Sequence, residues 1–329
     1  MTIRHFICYL LCHLSSALCL ITLSFGAGAQ TFPERPVRIV VPYVPGGSTD
    51  LLSRLLADAV GESLGQTVIV ENRPGAGGML GTAIVAKAPP DGHTIVICTI
   101  GTCAVNPTLF KNPGYDLFKD FAPVVFLGGV MNVFVVNNSV PVKNIKELVA
   151  LARANPGKLT FGSGGIGNSP HMTLELLAYR TKVNINHIPY KGSGAAIIDV
   201  VGGQVDMMVE NEPSIQPYVK SGRLRGVAVT GAKRSPGLPA VPTMVEQGYT
   251  DFVVEPWFGY MAPVKTPRAA VDKLNAAFNA AMKNPKVRPR LEEANLIIGG
   301  GTPEQFAALM RSEVDRWAQV IKANNVKVE

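Results

Sequence analysis

Two stretches of this sequence place glycine and hydroxyl side chains where a buried strand gives way to a helix. The first, Pro45-Gly46-Gly47-Ser48-Thr49-Asp50, follows Val37-Arg38-Ile39-Val40-Val41. The second follows Leu159-Thr160-Phe161 and runs from Gly162 through Ser163, Gly164 and Gly167 to Asn168 and Ser169, with Pro170 and His171 next. A helix start leaves up to four backbone N–H groups unpaired and carries about half a positive charge. Glycine lets an anion approach that backbone, and serine or threonine adds hydroxyl donors. One such turn alone reads as an ordinary strand-to-helix connection. Two in matched positions point to a cleft that grips an anion from both sides, which suits a ligand with two carboxylates.

Other chemistries find less support. Gly162-x-Gly164-x-x-Gly167 also fits the dinucleotide fingerprint, so a secreted NAD-dependent oxidoreductase is the alternative reading. The next strand, Asn184-Ile185-Asn186-His187-Ile188, ends without the Asp or Glu that would hold a ribose. No nucleophile elbow exists: Phe161 stands two residues before Ser163, and Asp50 two after Ser48. No Walker lysine follows a Gly-rich loop, and His93, His171 and His187 lack metal-ligand spacing. The expectation is a binding protein without catalytic residues, metal or cofactor. His171 reads equally as a ligand-side hydrogen-bond donor or a structural histidine. Trp257 could line a cleft or pack in the core, and Phe258 reads as core. The net charge of +7 is spread without a basic stripe interleaved with aromatics, which argues against nucleic acid.

These residues need elements to hold them. Short apolar strands alternate with amphipathic helices, which predicts βαβ units around a mostly parallel sheet. Near Gly128-Gly129 two apolar runs follow each other with no helix between, predicting a crossing into a second lobe that repeats the arrangement. Gly231 to Pro242, rich in proline, reads as the return linker. Thr266 as N-cap with Pro267 after it, and Thr302-Pro303-Glu304-Gln305 as a capping box, open two last helices that should pack on the first lobe. At the other end, Arg4, the apolar run Phe6 to Phe25 and Ala27-Gly28-Ala29 read as a cleavable signal peptide. Of 329 residues, removing 1–29 leaves 300, enough for two domains, with net charge +6. The predicted division is residues 30–127 plus 232–329 for lobe I and 128–231 for lobe II, free to move about the crossings. Cys98 and Cys103 remain in a compartment where a bridge could form. Cys98 is expected to end a strand and Cys103 to enter the next helix, as two buried thiols.

The same residues carry a resemblance. The run Arg38-Ile39-Val40-Val41-Pro42-Tyr43-Val44-Pro45-Gly46-Gly47-Ser48-Thr49-Asp50 is joined by Val70-Glu71-Asn72-Arg73-Pro74-Gly75-Ala76-Gly77-Gly78 and Pro90-Asp91-Gly92-His93-Thr94. Asp120-Phe121-Ala122-Pro123-Val124, His187-Ile188-Pro189-Tyr190-Lys191-Gly192-Ser193, Gly202-Gly203-Gln204-Val205-Asp206 and Trp257-Phe258-Gly259 follow in order. Together they resemble the substrate-binding proteins of tripartite tricarboxylate transporters, the Bug (Bordetella uptake gene) family. The resemblance implies a type II periplasmic-binding-protein fold, two α/β lobes with a ligand cleft between them. It implies a periplasmic monomer that hands a small carboxylate to membrane permease subunits. Carried over by position, the implied contacts are Tyr43, Gly46, Gly47, Ser48, Thr49, Asp50, Gly101 and Thr102 from one lobe. From the other come Ser163, Gly164, Gly167, Asn168, Ser169, His171, Glu210 and Asn211. The family often has His where Cys103 stands, Asp-Asn where Glu210-Asn211 stands, and small polar residues in place of Glu255-Pro256. An extra acid there disfavours a tricarboxylate and suits a ligand bearing nitrogen.

Overall fold

The structure, a computed structural model, describes residues 32–324, so the expected signal peptide lies outside the described residues. Two mixed sheets organise it. In the first, β1 (Val37–Val41), β2 (Val68–Asn72) and β3 (Thr94–Thr99) run parallel, linked through helices α1 (Ser48–Leu64) and α2 (Met79–Ala86). A π-wound turn (Gly101–Val105) and two single-turn helices, α3 (Asn106–Leu109) and α4 (Leu117–Asp120), lead to β4 (Phe121–Gly129). The chain then leaves this sheet and begins the second with β5 (Asn132–Asn137).

The second sheet is filled by α5 (Ile145–Ala154), β6 (Thr160–Ser163), α6 (Ser169–Thr181), β7 (Asn186–Pro189), α7 (Ser193–Gly202), β8 (Met207–Asn211), α8 (Glu212–Lys220) and β9 (Leu224–Val229). The chain rejoins the first sheet as β10 (Trp257–Pro263), then forms α9 (Arg268–Lys283), α10 (Arg288–Glu293), β11 (Ile297–Ile298) and α11 (Pro303–Asn324).

The strand orders are β2-β1-β3-β10-β4-β11 and β7-β6-β8-β5-β9. Superimposed in thought, β1 matches β6, β2 matches β7, β3 matches β8, and β4 matches β9. The remaining pair, β10 and β5, are the strands that have just crossed from the other lobe, and each lies antiparallel inside its new sheet. This corrects the expectation of mostly parallel sheets, because a strand arriving from the opposite lobe enters in the reverse direction. All seven residues of β10 are buried. A strand covered on both faces reads as one apolar run without alternation, so Trp257-Phe258-Gly259-Tyr260-Met261-Ala262-Pro263 carried no period to recognise.

The crossings lie side by side, with Trp257 paired to Gly129 and Val130 N–H donating to Pro256 O at 2.7 Å. The proline-rich segment after β9 stays on the second sheet. Thr243 bridges to Val229, Val254 N–H donates to Thr230 O at 3.0 Å, and Phe252 packs edge-on to Phe134. The C-terminal helices return to the first sheet. Thr302 N–H donates to Gln305 Oε1 at 2.9 Å and Gln305 N–H to Thr302 Oγ1 at 3.3 Å, the reciprocal capping box. Thr266 is not the cap of α9: Pro267 holds that place, and its carbonyl accepts from Ala270 and Val271. Phe306, Met310, Trp317 and Ile321 of α11 enter the core at helical spacing. No described helix is long and apolar enough to cross a membrane.

Cys98 and Cys103 form a disulfide, with Cα atoms 6.0 Å apart, in place of the expected free thiols. The turn between them explains the approach. Thr99 N–H donates to Thr102 Oγ1 at 3.1 Å and Thr102 N–H to Thr99 Oγ1 at 3.2 Å, folding the chain back at the strand end. Both cysteines are fully buried.

Candidate functional site

In an open α/β sheet, loops at the carboxyl ends of the parallel strands surround the crevice where ligands bind. Here the loops after β1 and β3 face those after β6, β7 and β8. They enclose a space of about 40 Å³ lined by Tyr43, Gly47, Ser48, Thr49, Thr99, Ile100, Asn168, Ser169, Pro170, Ser193, Glu210, Asn211, Pro256, Trp257 and Phe258. Half of the sixteen expected contacts are brought together there: Tyr43, Gly47, Ser48, Thr49, Asn168, Ser169, Glu210 and Asn211.

The lobes touch. Ser48 Oγ lies 2.6 Å from Ser214 Oγ of α8. A Cβ placed on Gly194 would sit 2.8 Å from Pro45 O, and one on Gly101 3.1 Å from the Asn168 Cα, so backbone meets backbone where these glycines stand.

Local chemistry explains how the turns present their donors. Gly47 is the N-cap of α1 and offers no side-chain cap, which leaves the first amides of that helix free of an internal side-chain acceptor. In the second turn Asn168 Oδ1 accepts from His171 N–H at 2.9 Å. Ser169 is tied to the strands by a buried chain. Asn211 Nδ2 donates to Asn132 Oδ1 at 2.6 Å and reaches Ser169 Oγ at 3.3 Å, and Asn132 Nδ2 donates to Thr173 Oγ1 at 2.7 Å. Tyr43 hydroxyl, 3.3 Å from Thr99 Oγ1, has its pKa pushed up to about 12, chiefly by burial.

The other eight expected contacts stand behind the cavity. Asp50 Oδ1 accepts from Arg54 and Asn72, and Oδ2 from Gly46 N–H at 3.1 Å, so it braces the first turn. Burial would raise its pKa, but hydrogen bonds from Arg54, Asn72 and Gly46 hold the carboxyl below the usual range. Gly46 and Asp50 instead line a groove outside the cavity, with Arg54, Arg223 and Arg290. Thr102 is spent on Thr99, and Gly101 packs on Asn168. Ser163 Oγ bonds His187 Nε2 at 2.6 Å. Gly164 lies against Ser193, and Gly167 against Asn106 and Phe110 of the first lobe.

The glycine fingerprint does sit between a strand and a helix, but in this arrangement of the lobes Gly164 and Gly167 are packed against protein. His171 is buried with its ring stacked on His187 at 4.4 Å, and its Nδ1 accepts from Gly167 N–H at 3.2 Å. Burial, with His187 beside it, lowers its pKa to about 3, and burial lowers that of His187 to about 4, so both rings are neutral at pH 7. His171 thus lies buried outside the lining of the cavity.

Thr99, Pro170, Ser193 and Pro256 line the cavity without having been expected there. Thr99 ends β3, and Ser193 opens α7 after β7 as Ser48 opens α1 after β1, and those positions were the available signal. Trp257 takes its place through tertiary contacts, its Nε1–H donating to Glu313 Oε2 of α11 at 2.9 Å. Glu255, two residues before it, is exposed and outside the cavity.

Glu210 is the acid of the cavity. It is 1% exposed at the end of β8, and its Oε1 accepts from Asn211 N–H at 2.9 Å. Oε2 has no hydrogen-bond partner among the described residues. Burial pushes its pKa up to about 7 against the pull of Ser193 and the Asn211 amide.

Two α/β lobes, joined at paired crossings and closed on a small polar cavity, define a two-lobed binding protein. The profile of the tripartite tricarboxylate transporter family receptors matches residues 52–326, and the chain belongs to that family. Protein BugT of Bordetella pertussis is 38% identical over 302 residues, 92% of this chain and 93% of the relative. The structure of periplasmic binding protein BugD superimposes with a TM-score of 0.87 at 38% identity, covering 91% of this chain and all of that one. R. palustris Rpa4515 with adipate superimposes with a TM-score of 0.87 at 35% identity, over 90% and 99% of the two chains. The fold is that of the type II periplasmic binding proteins.

Proposed function

We propose that this chain is a periplasmic solute-binding protein that captures a small carboxylate and delivers it to the membrane permease subunits of a tripartite tricarboxylate-type transporter. Dicarboxylates, acidic amino acids and aromatic carboxylates are the candidate ligands. The observation that carries this reading is that two Gly-rich helix starts, one from each lobe, converge on one enclosed space. The adipate held by the related Rpa4515 supports the ligand class. Export would use residues 1–29 as a cleaved signal peptide, and the protein would act as a monomer. Direct contacts are assigned to Gly47, Ser48, Thr49, Asn168, Ser169, Glu210 and Asn211, with Tyr43 as part of the pocket floor. Gly46, Asp50, Gly101, Thr102, Ser163, Gly164, Gly167 and His171 act by shaping the turns.

The lobes part, in this reading, at the paired crossings. Lobe I is residues 30–127 with the C-terminal part of the chain, and lobe II begins at 128. The return, expected at 232, is set instead near Val254 to Trp257, since the segment before it packs on the second sheet. Ligand held by donors from both lobes would favour closure.

The test is a thermal-shift screen with succinate, adipate, glutamate and nicotinate, with nicotinamide dinucleotide as control. A ligand at a hundred times its Kd adds about 2.7 kcal/mol of stability. The expected result is a shift with at least one carboxylate and none with the dinucleotide. The reverse pattern would return the oxidoreductase reading.

A further inference from the structure

Building on the carboxylate-binding reading, we propose that the ligand carries an ammonium group, and that Glu210 is the residue that selects it by accepting a hydrogen bond at Oε2. The charge inventory of the cavity comes first. Among the described residues no lysine, arginine or histidine lines it, and Glu210 is its one carboxylate. Among the described residues, positive potential comes from helix starts, each worth about half a charge, at α1, α6, α7 and α8. Asn211 is the N-cap of α8 and Glu210 immediately precedes it, so that helix start is already turned toward Glu210. What remains, from α1, α6 and α7, is about one and a half charges and suits one ligand carboxylate. An unsubstituted dianion would place its second carboxylate beside Glu210 with no cation between them.

Geometry supplies the second argument. Glu210 pairs with Val133 in the β8–β5 register, and its Oε1 is committed to the Asn211 amide. The side chain is enclosed by protein, so it cannot turn to solvent to satisfy Oε2. A buried carboxylate oxygen with no donor is costly to leave unmade. The first lobe shows what satisfaction looks like: Asp50 is braced by Arg54, Asn72 and Gly46. Among the described residues no arginine bonds Glu210, and it lines the cavity, from which a cationic donor can arrive. An ammonium group there supplies the missing hydrogen bond and balances the charge, while its carboxylate reaches the Ser48 and Ser169 turns.

Titration calorimetry on the mature protein tests this with matched pairs: aspartate against succinate, glutamate against glutarate, and 4-aminobutyrate against butyrate, with malate as the hydroxyl control. In at least one pair the amino compound is expected to bind tenfold or more tightly than its partner. In Glu210→Gln, which keeps the side-chain shape, that ratio should fall to within about threefold. Carboxylates that bind without an amino preference, or a ratio untouched by Glu210→Gln, would overturn the proposal and leave the carboxylate-binding reading standing. Malate gaining over succinate as much as aspartate does would also overturn it, since a neutral donor would then suffice. Binding by no carboxylate at all would remove both. Should the variant fail to fold, the wild-type ratios alone decide.

Discussion

The two lobes share a strand order and each places a glycine turn, a helix start and a buried acid, Asp50 or Glu210, at the same end of its sheet, yet they treat these two acids in opposite ways. Asp50 in the first lobe is held by an arginine, an asparagine and a backbone amide, and its pKa is lowered. Glu210 in the second lobe has the Asn211 amide and the weaker pull of Ser193, its Oε2 has no hydrogen-bond partner among the described residues, and burial raises its pKa to about 7. The first acid is complete before any ligand arrives and fixes the shape of its turn. The second is incomplete, and incompleteness at a cleft is what a ligand can relieve. Equivalent topology therefore does not mean equivalent chemistry. One lobe supplies a finished cradle and the other an unfinished one.

The comparison requires that both lobes meet on the ligand, and Gly194→Val would break it most severely. The added Cβ alone would stand 2.8 Å from Pro45 O across the cleft. Affinity for a carboxylate ligand should fall about a thousandfold, about 4 kcal/mol. The melting temperature of the free protein should change little, because the clash exists only when the lobes close. Calorimetry and a melting curve check both.

The next effect separates the two acids by pH. Glu210 has a folded pKa above its unfolded value of 4.5, so folding favours the protonated form. Stability is therefore greatest below pH 4.5 and is lost as pH rises toward 7, by about 3 kcal/mol. Glu210→Gln should match the wild type at pH 4 and exceed it above pH 7 in the ligand-free protein. Asp50 has the opposite sign. Its depressed pKa contributes stability above the unfolded value of 3.8 that disappears as pH falls, so Asp50→Asn should be less stable at neutral pH. Urea melts of both variants across pH would show whether the contrast holds.

The smallest effect concerns the turn after β3. The bridge between Cys98 and Cys103 closes a short loop, worth about 2 kcal/mol by chain entropy. Because that turn carries Thr99 and Ile100 into the cavity, Cys98→Ala with Cys103→Ala should lower both stability and ligand affinity modestly. Mass measurement of the intact protein with and without reductant should differ by two daltons.

Local patterns carried much of this protein. Apolar runs marked most strands, helical spacing marked the long helices, and Thr302 with Gln305 marked the last helix start. The two glycine turns were legible because their signal lies within a few consecutive residues. So was the family resemblance, which rests on ordered motifs along the chain.

What the sequence could not hold was the outcome of contacts between distant residues. β10 became a central antiparallel strand only because the chain crossed back between β3 and β4. Cys103 met Cys98 because two threonine hydroxyls reversed the chain between them. Asp50 and Glu210 looked alike as acids beside Gly-rich turns. Their difference arises because Arg54 and Asn72 converge on one of them, while the other lines a small cavity and keeps one oxygen without a partner among the described residues.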